Sequence, residues 1–136
     1  MGMTKVDKPS LVKYWLDTAE RDFQTVEHLF QTGDYHWGLF VGHLVLEKLL
    51  KALFIQKLGE WPPRIHDLAR LAEKCGLKPD DRLLDNLELI SRFNLSVRYP
   101  DTQQELYQIC TREFALKVLE TIQEIRTWLL SLIRPS

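Results

Sequence analysis

The chain has 136 residues, 45% of them apolar and 27% charged, which suffices for one domain with a real core, residues 1–136, and is far from a disordered composition. Its net charge of −1 excludes a dedicated nucleic-acid coat, which needs a basic field, but leaves room for a local basic patch. The two cysteines, Cys75 and Cys110, match no metal or redox spacing and suit a reducing cytoplasm better than a disulfide scaffold.

The N-terminal run Met1 to Ser10 is polar, with Lys5, Asp7 and Lys8, and does not resemble a signal peptide. A first helix is expected from about Pro9 and Ser10 to Gly33, because proline suits a first helical turn and glycine a helix end. Trp15, Ala19, Phe23, Val26, Leu29 and Phe30 recur every three or four residues and make one apolar stripe. Asp22 falls inside that stripe, and a buried carboxylate there needs a partner.

A second helix is expected from Tyr35 to Leu58, ended by Gly59. It is apolar nearly all round, which suits the middle of a bundle or a subunit interface. Its charged residues Glu47, Lys48 and Lys51 within Leu39 to Phe54 make it unsuited to a bilayer, so a soluble, cytoplasmic protein with no membrane contact is expected. His36, His43, Glu47 and Lys51 are spaced by seven, four and four residues and therefore form one line along this helix.

Trp61-Pro62-Pro63 interrupts the chain, and His66-Asp67-Leu68 opens a short helix through about Lys74. Pro79-Asp80-Asp81 starts a third long helix that fades near Leu95, with Leu83, Leu84, Leu87 and Ile90 inward. Val97 to Asp101 reads as a loop set by Pro100. A last helix begins after Thr111, an expected N-cap, and stops before Pro135; its inner positions are Phe114 or Ala115, Val118, Ile122, Ile125, Leu129 and Leu132. No run alternates with period two, so the expected fold is all-α: an up-and-down four-helix bundle with one extra short helix.

Three groups of residues carry chemistry. The line His36, His43, Glu47, Lys51 has an inward ligand-binding reading, but Glu47 and Lys51 are spaced as a helix ion pair, which Asp22 would complete as a buried network. No glutamate has a histidine three residues on, and no thiolate or histidine pair has zinc spacing, so no metal is expected. His66 is either a general base or phosphate contact, or part of a His-Asp helix start. The segment Arg92 to Asp101 places Arg92, Arg98, Tyr99 and Asp101 around a helix end. Arginine forks suit phosphate and carboxylate and tyrosine stacks on bases, whereas the plain alternative is neutralisation of the helix dipole. There is no Gly-x-Ser-x-Gly elbow, phosphate-cradling glycine loop or Cys-His motif.

With these segments in place, the chain resembles the HEPN domain family (higher eukaryotes and prokaryotes nucleotide-binding). The resemblance rests on Trp15 through Ala19, Asp22 and Leu29; on Gly33-Asp34-Tyr35; on His43-Leu44-Val45-Leu46-Glu47-Lys48-Leu49-Leu50-Lys51-Ala52-Leu53; on His66-Asp67-Leu68; and on Arg98-Tyr99-Pro100-Asp101. It implies a helical, commonly dimeric, prokaryotic module, often encoded beside a small nucleotidyltransferase as half of a toxin–antitoxin pair. A ribonuclease branch of the family carries an arginine followed four to six residues later by histidine near the end of the third long helix. Here Arg98 stands at that distance from Arg92, no histidine follows His66, and Arg21 with His28 lies in the first helix.

An arginine stays protonated and cannot act as a general base. The expected function is therefore a non-catalytic, dimeric binding module without cofactor, taking a nucleotide or partnering a nucleotidyltransferase through Arg92, Arg98, Tyr99 and Asp101. A metal-independent ribonuclease with a degenerate site at Arg92 and Arg98 is one alternative. A purely structural helical interaction protein is the other.

Overall fold

A computed structural model describes residues 7–133; the N-terminal run over residues 1–6 and the stop at Pro135 lie outside them. The described residues form six helices: α1 Lys8–Gln31, α2 Tyr35–Leu58, α3 Leu68–Lys74, α4 Asp81–Leu95, α5 Pro100–Ile109 and α6 Arg112–Leu132. Among the described residues there is no strand, as the lack of period-two patterning implies.

Helix boundaries follow local chemistry. Gly33 adopts φ +82°, a left-handed conformation in which glycine carries no Cβ penalty, and the chain turns there from α1 into α2. Asp67, Asp80 and Thr111 each accept a backbone N–H of the first turn of α3, α4 and α6, at 3.2, 2.8 and 3.2 Å, satisfying donors that a helix start leaves free.

α2 is the central element, packed against α1, α6, α4 and α3. Leu39, Val45, Leu46, Leu49, Leu50, Ala52, Leu53 and Ile55 are all buried, which is why its apolar residues are not confined to one stripe. Two glycines let its neighbours approach. A Cβ on Gly38 would meet the Phe30 ring at 2.6 Å, and one on Gly42 would meet Ile122 Cδ1 at 2.8 Å. α1 contributes Val12, Ala19, Phe23 and Val26 to the core, α4 Leu87, Ile90 and Phe93, and α6 Ala115, Val118, Ile122, Ile125 and Leu129. Of the inner positions expected on α4 and α6, Leu83, Leu84, Phe114 and Leu132 are only half-buried.

Two expectations need correction. The segment after Val97 is not simply a loop, because Pro100 opens α5 and there is a second short helix besides α3. Proline at the first helical position gives up an N–H that had no intrahelical acceptor in any case, so here it starts a helix. α5 went unforeseen because Leu106 is its one buried residue, leaving no apolar periodicity to read. Asp22 does not join the Glu47–Lys51 pair. Its carboxylate accepts from Lys48 Nζ at 2.6 Å, at the half-exposed edge of the α1–α2 contact; Lys48 lies between the positions of the inward line, on another face of α2.

Candidate functional site

His36, His43, Glu47 and Lys51 are all buried. The line splits into two environments. His36 stacks on the Tyr107 ring of α5, with centroids 4.3 Å apart and planes 28° from parallel, and neither of its ring nitrogens has a hydrogen-bond partner. Burial pushes its imidazole below the ordinary value of 6.5.

The other three form a network with His66. Lys51 Nζ donates to Glu47 Oε2 at 3.0 Å, and His66 Nδ1 lies 2.9 Å from Glu47 Oε1. A carboxylate only accepts, so His66 Nδ1 carries the proton and, in the neutral ring, Nε2 carries the lone pair. Burial works to raise the Glu47 carboxyl, but the hydrogen bonds from His66 and Lys51 and the Lys51 charge outweigh it and hold the group below its ordinary value. Glu47 is thus an anion that fixes the tautomer of His66.

His43 holds the same residue by its backbone. Its Nε2 lies 2.7 Å from the His66 carbonyl oxygen, which can only accept, so His43 Nε2 is protonated. Its Nδ1 faces Glu47 Oε1 at 3.9 Å without a hydrogen bond. Burial pushes its imidazole below 6.5, against the opposing pull of the His66 carbonyl and the Glu47 charge. His43 therefore serves as a neutral brace, and α2 grips His66 at ring and backbone together.

From that anchored position His66 lines a cavity of about 310 Å³ between the start of α3 and the end of α4, with Asp67, Glu88, Ser91, Arg92, Asn94, Leu95 and Arg98. The Leu68 N–H donates to Ser91 Oγ at 3.0 Å, pinning the first residue of α3 to the residue before Arg92. Arg98 reaches the same cavity because α4 ends. On a continued helix, six residues would leave Arg92 and Arg98 about 120° apart around the axis. The chain turns instead, with the N–H groups of Arg98 and Tyr99 both directed to the Leu95 carbonyl at 3.0 and 3.1 Å.

The sequence-predicted residues therefore sort into three places. Arg92, Arg98 and His66 share one cavity, and Glu47, Lys51 and His43 lie behind His66 as its support. Tyr99 and Asp101 do not line the cavity: Tyr99 is the exposed residue preceding α5, and Asp101 lies exposed in its first turn. Asp22 sits elsewhere, on Lys48. The His-Asp helix start divides its labour, since Asp67 caps α3 while His66 binds Glu47.

Glu88, Ser91 and Asn94 in the cavity were not foreseen, nor was the contact outside it from Glu105 of α5, whose Oε1 accepts from Arg92 Nη2 at 2.9 Å. Glu88, Ser91, Arg92 and Leu95 do recur at helical spacing, and that face of α4 was the available signal.

Among the described residues, no group of three or more His, Cys, Asp or Glu side chains is placed to hold a metal ion, and no helix is long and apolar enough to cross a membrane.

Comparison with known proteins places this architecture. The crystal structure of TT1696 from Thermus thermophilus superposes with a TM-score of 0.72 at 20% identity, over 89% of this chain and 97% of that one, a likeness of fold. No curated protein sequence matches the chain. The profile of the HEPN domain matches residues 12–132, from the first turns of α1 to the end of α6, and the chain belongs to the HEPN domain family.

Proposed function

We propose that this domain is a non-catalytic binding module for a phosphate-bearing nucleotide, seated in the cavity between α3 and α4 on an up-and-down four-helix bundle. The observation that carries this reading is the convergence of Arg92, Arg98 and His66 on one cavity. Two permanently charged forks supply phosphate contacts, and the imidazole adds a third polar group. Asp67 and Glu88, which also line the cavity, suit the donor groups of a nucleotide, its sugar hydroxyls or base amines, better than a bare anion. Tyr99 and Asp101, outside the cavity at its Arg98 end, belong to the same reading as contacts for a base or a partner chain.

The module is further read as a cytoplasmic homodimer of the branch carrying the Arg98-Tyr99-Pro100-Asp101 segment. Its partner would be a small nucleotidyltransferase in a toxin–antitoxin-like pair. Exposed Leu95, Val97, Tyr99, Tyr107 and Ile109 around α5, together with Trp37, Trp61 and Trp128, supply apolar surface for such contacts.

Thermal shift with ADP tests the binding reading. A ligand of the native state raises Tm, and Arg98→Ala should abolish the rise while leaving the unliganded Tm unchanged. An ADP-dependent rise that is equal in wild type and Arg98→Ala would place the ligand elsewhere. Co-expression with a nucleotidyltransferase encoded beside the chain tests the partner, with failure to co-purify as the adverse result.

One observation favours a second reading, a metal-independent ribonuclease. The histidine missing after Arg92 in sequence is available in space, because His66 lines the arginine-bearing cavity with its Nδ1 held by Glu47. Incubation with RNA in chelator, comparing wild type, His66→Gln and Arg98→Ala, tests it. Cleavage abolished in both variants supports this reading, and equal or absent cleavage in all three removes it.

A further inference from the structure

The contact between α4 and α5 bears on how the cavity is filled. Arg92 lines the cavity, yet its Nη2 is already hydrogen-bonded to Glu105 Oε1 at 2.9 Å. This pair lies near the surface, with side chains 40% and 63% exposed, so the contact is breakable without burying an unpaired charge. Glu105 does not line the cavity; it reaches Arg92 from α5.

α5 itself is lightly fastened. Leu106 is its one buried residue, Tyr107 lies on the ring of His36, and its main packing partner is α4. The Arg92–Glu105 pair is a side-chain tie between α5 and α4. Phosphate oxygens reaching Arg92 from the cavity carry the same sign of charge as the Glu105 carboxylate and compete with it for the one guanidinium.

We infer that Glu105 is an internal competitor for the cavity: it occupies Arg92 when the site is empty, and an incoming phosphate displaces it and loosens α5. This rests on the anion-binding reading of the cavity and adds its regulation. Ligand binding and α5 attachment are then linked reciprocally, each weakening the other by the same factor. The exposed apolar residues Tyr107 and Ile109 on α5 change their setting with it, so occupancy of the cavity is transmitted to the surface offered to another chain.

The test is calorimetric titration of the full chain with inorganic pyrophosphate at low ionic strength, in wild type, Glu105→Gln, Arg92→Ala and the double variant. Glu105→Gln should bind about two- to fivefold more tightly than wild type, the range open to an exposed ion pair. The gain should vanish when Arg92 is also replaced. Hydrogen exchange of wild type should show residues 100–109 exchanging faster when pyrophosphate is present.

Binding that is equal or weaker in Glu105→Gln, or unchanged or slower exchange of residues 100–109, overturns the competitor role while leaving the cavity as the site. Absence of binding in both wild type and Glu105→Gln removes the anion site and the competitor with it.

Discussion

His66 Nδ1, at the entrance to α3, lies 2.9 Å from the carboxylate of Glu47, buried in the middle of α2. The same carboxylate takes Lys51 Nζ at 3.0 Å on its other oxygen, so one anion is shared between a buried cation and a half-exposed imidazole. The arrangement orients the ring that faces the arginine cavity, and it ties the geometry of the site to the stability of the core.

Removing the anion alone should therefore be costly. Glu47→Leu leaves Lys51 buried without its counter-charge, and a loss of about 3–5 kcal/mol in urea unfolding is expected. Replacing both, as Glu47→Leu with Lys51→Leu, should recover a large part of that loss, since well-packed apolar residues tolerate the site. A double variant as unstable as the sum of the single ones would show that the pair is not coupled in the folded protein.

Acid should weaken the fold in two stages. The imidazoles of His36 and His43 are held below 6.5 by burial, so the unfolded chain binds protons more readily than the folded one as pH falls through 6.5. Their contribution is complete above that value and declines below it, down through the depressed folded values. Glu47, also held low, adds a second loss below the ordinary glutamate value of 4.5. Urea midpoints should fall between pH 7.5 and pH 5.5, and His36→Phe should flatten part of that fall. A midpoint independent of pH over this interval contradicts the assignment.

The two thiols should report different depths. Cys75 is buried, its Sγ directed to the Leu50 carbonyl at 3.3 Å, and burial pushes its thiol up to about 11. Cys110 is half-buried, with a smaller rise from the same cause. Since the thiolate is the reacting species, a disulfide reagent at pH 8 should label Cys110 first and Cys75 only at the rate of unfolding. Simultaneous labelling of both would mean that α3 opens independently of the bundle.

Capping gives a purely local prediction. Thr111 Oγ1 accepts the Phe114 N–H at 3.2 Å, and Thr111→Ala should cost about 1 kcal/mol, with Thr111→Ser close to neutral. A loss of the same size in Thr111→Ser would indicate that the methyl group, not the cap, is what matters.

What the sequence by itself determined is local. The span of α2 from Tyr35 to Leu58, the cap at Thr111, and the inward faces of α1 and α6 were all legible, because glycines, caps and three-to-four spacing act within a turn or two of the chain. The resemblance of scattered motifs to the HEPN family was legible too. α5 was not, because its single buried residue leaves no period to detect.

Tertiary structure alone decided the site. Arg92 was readable as an arginine near a helix end, but its meeting with Arg98, His66 and Glu105 depends on where α4 stops, on Ser91 pinning α3, and on Glu47 and His43 holding His66 from α2. Contacts between separate segments are set by how the helices pack against one another, and no spacing along a single segment encodes that. The same limit explains Asp22: its place in an apolar stripe shows that a partner is needed, while only the packing of α1 on α2 selects Lys48 over Lys51.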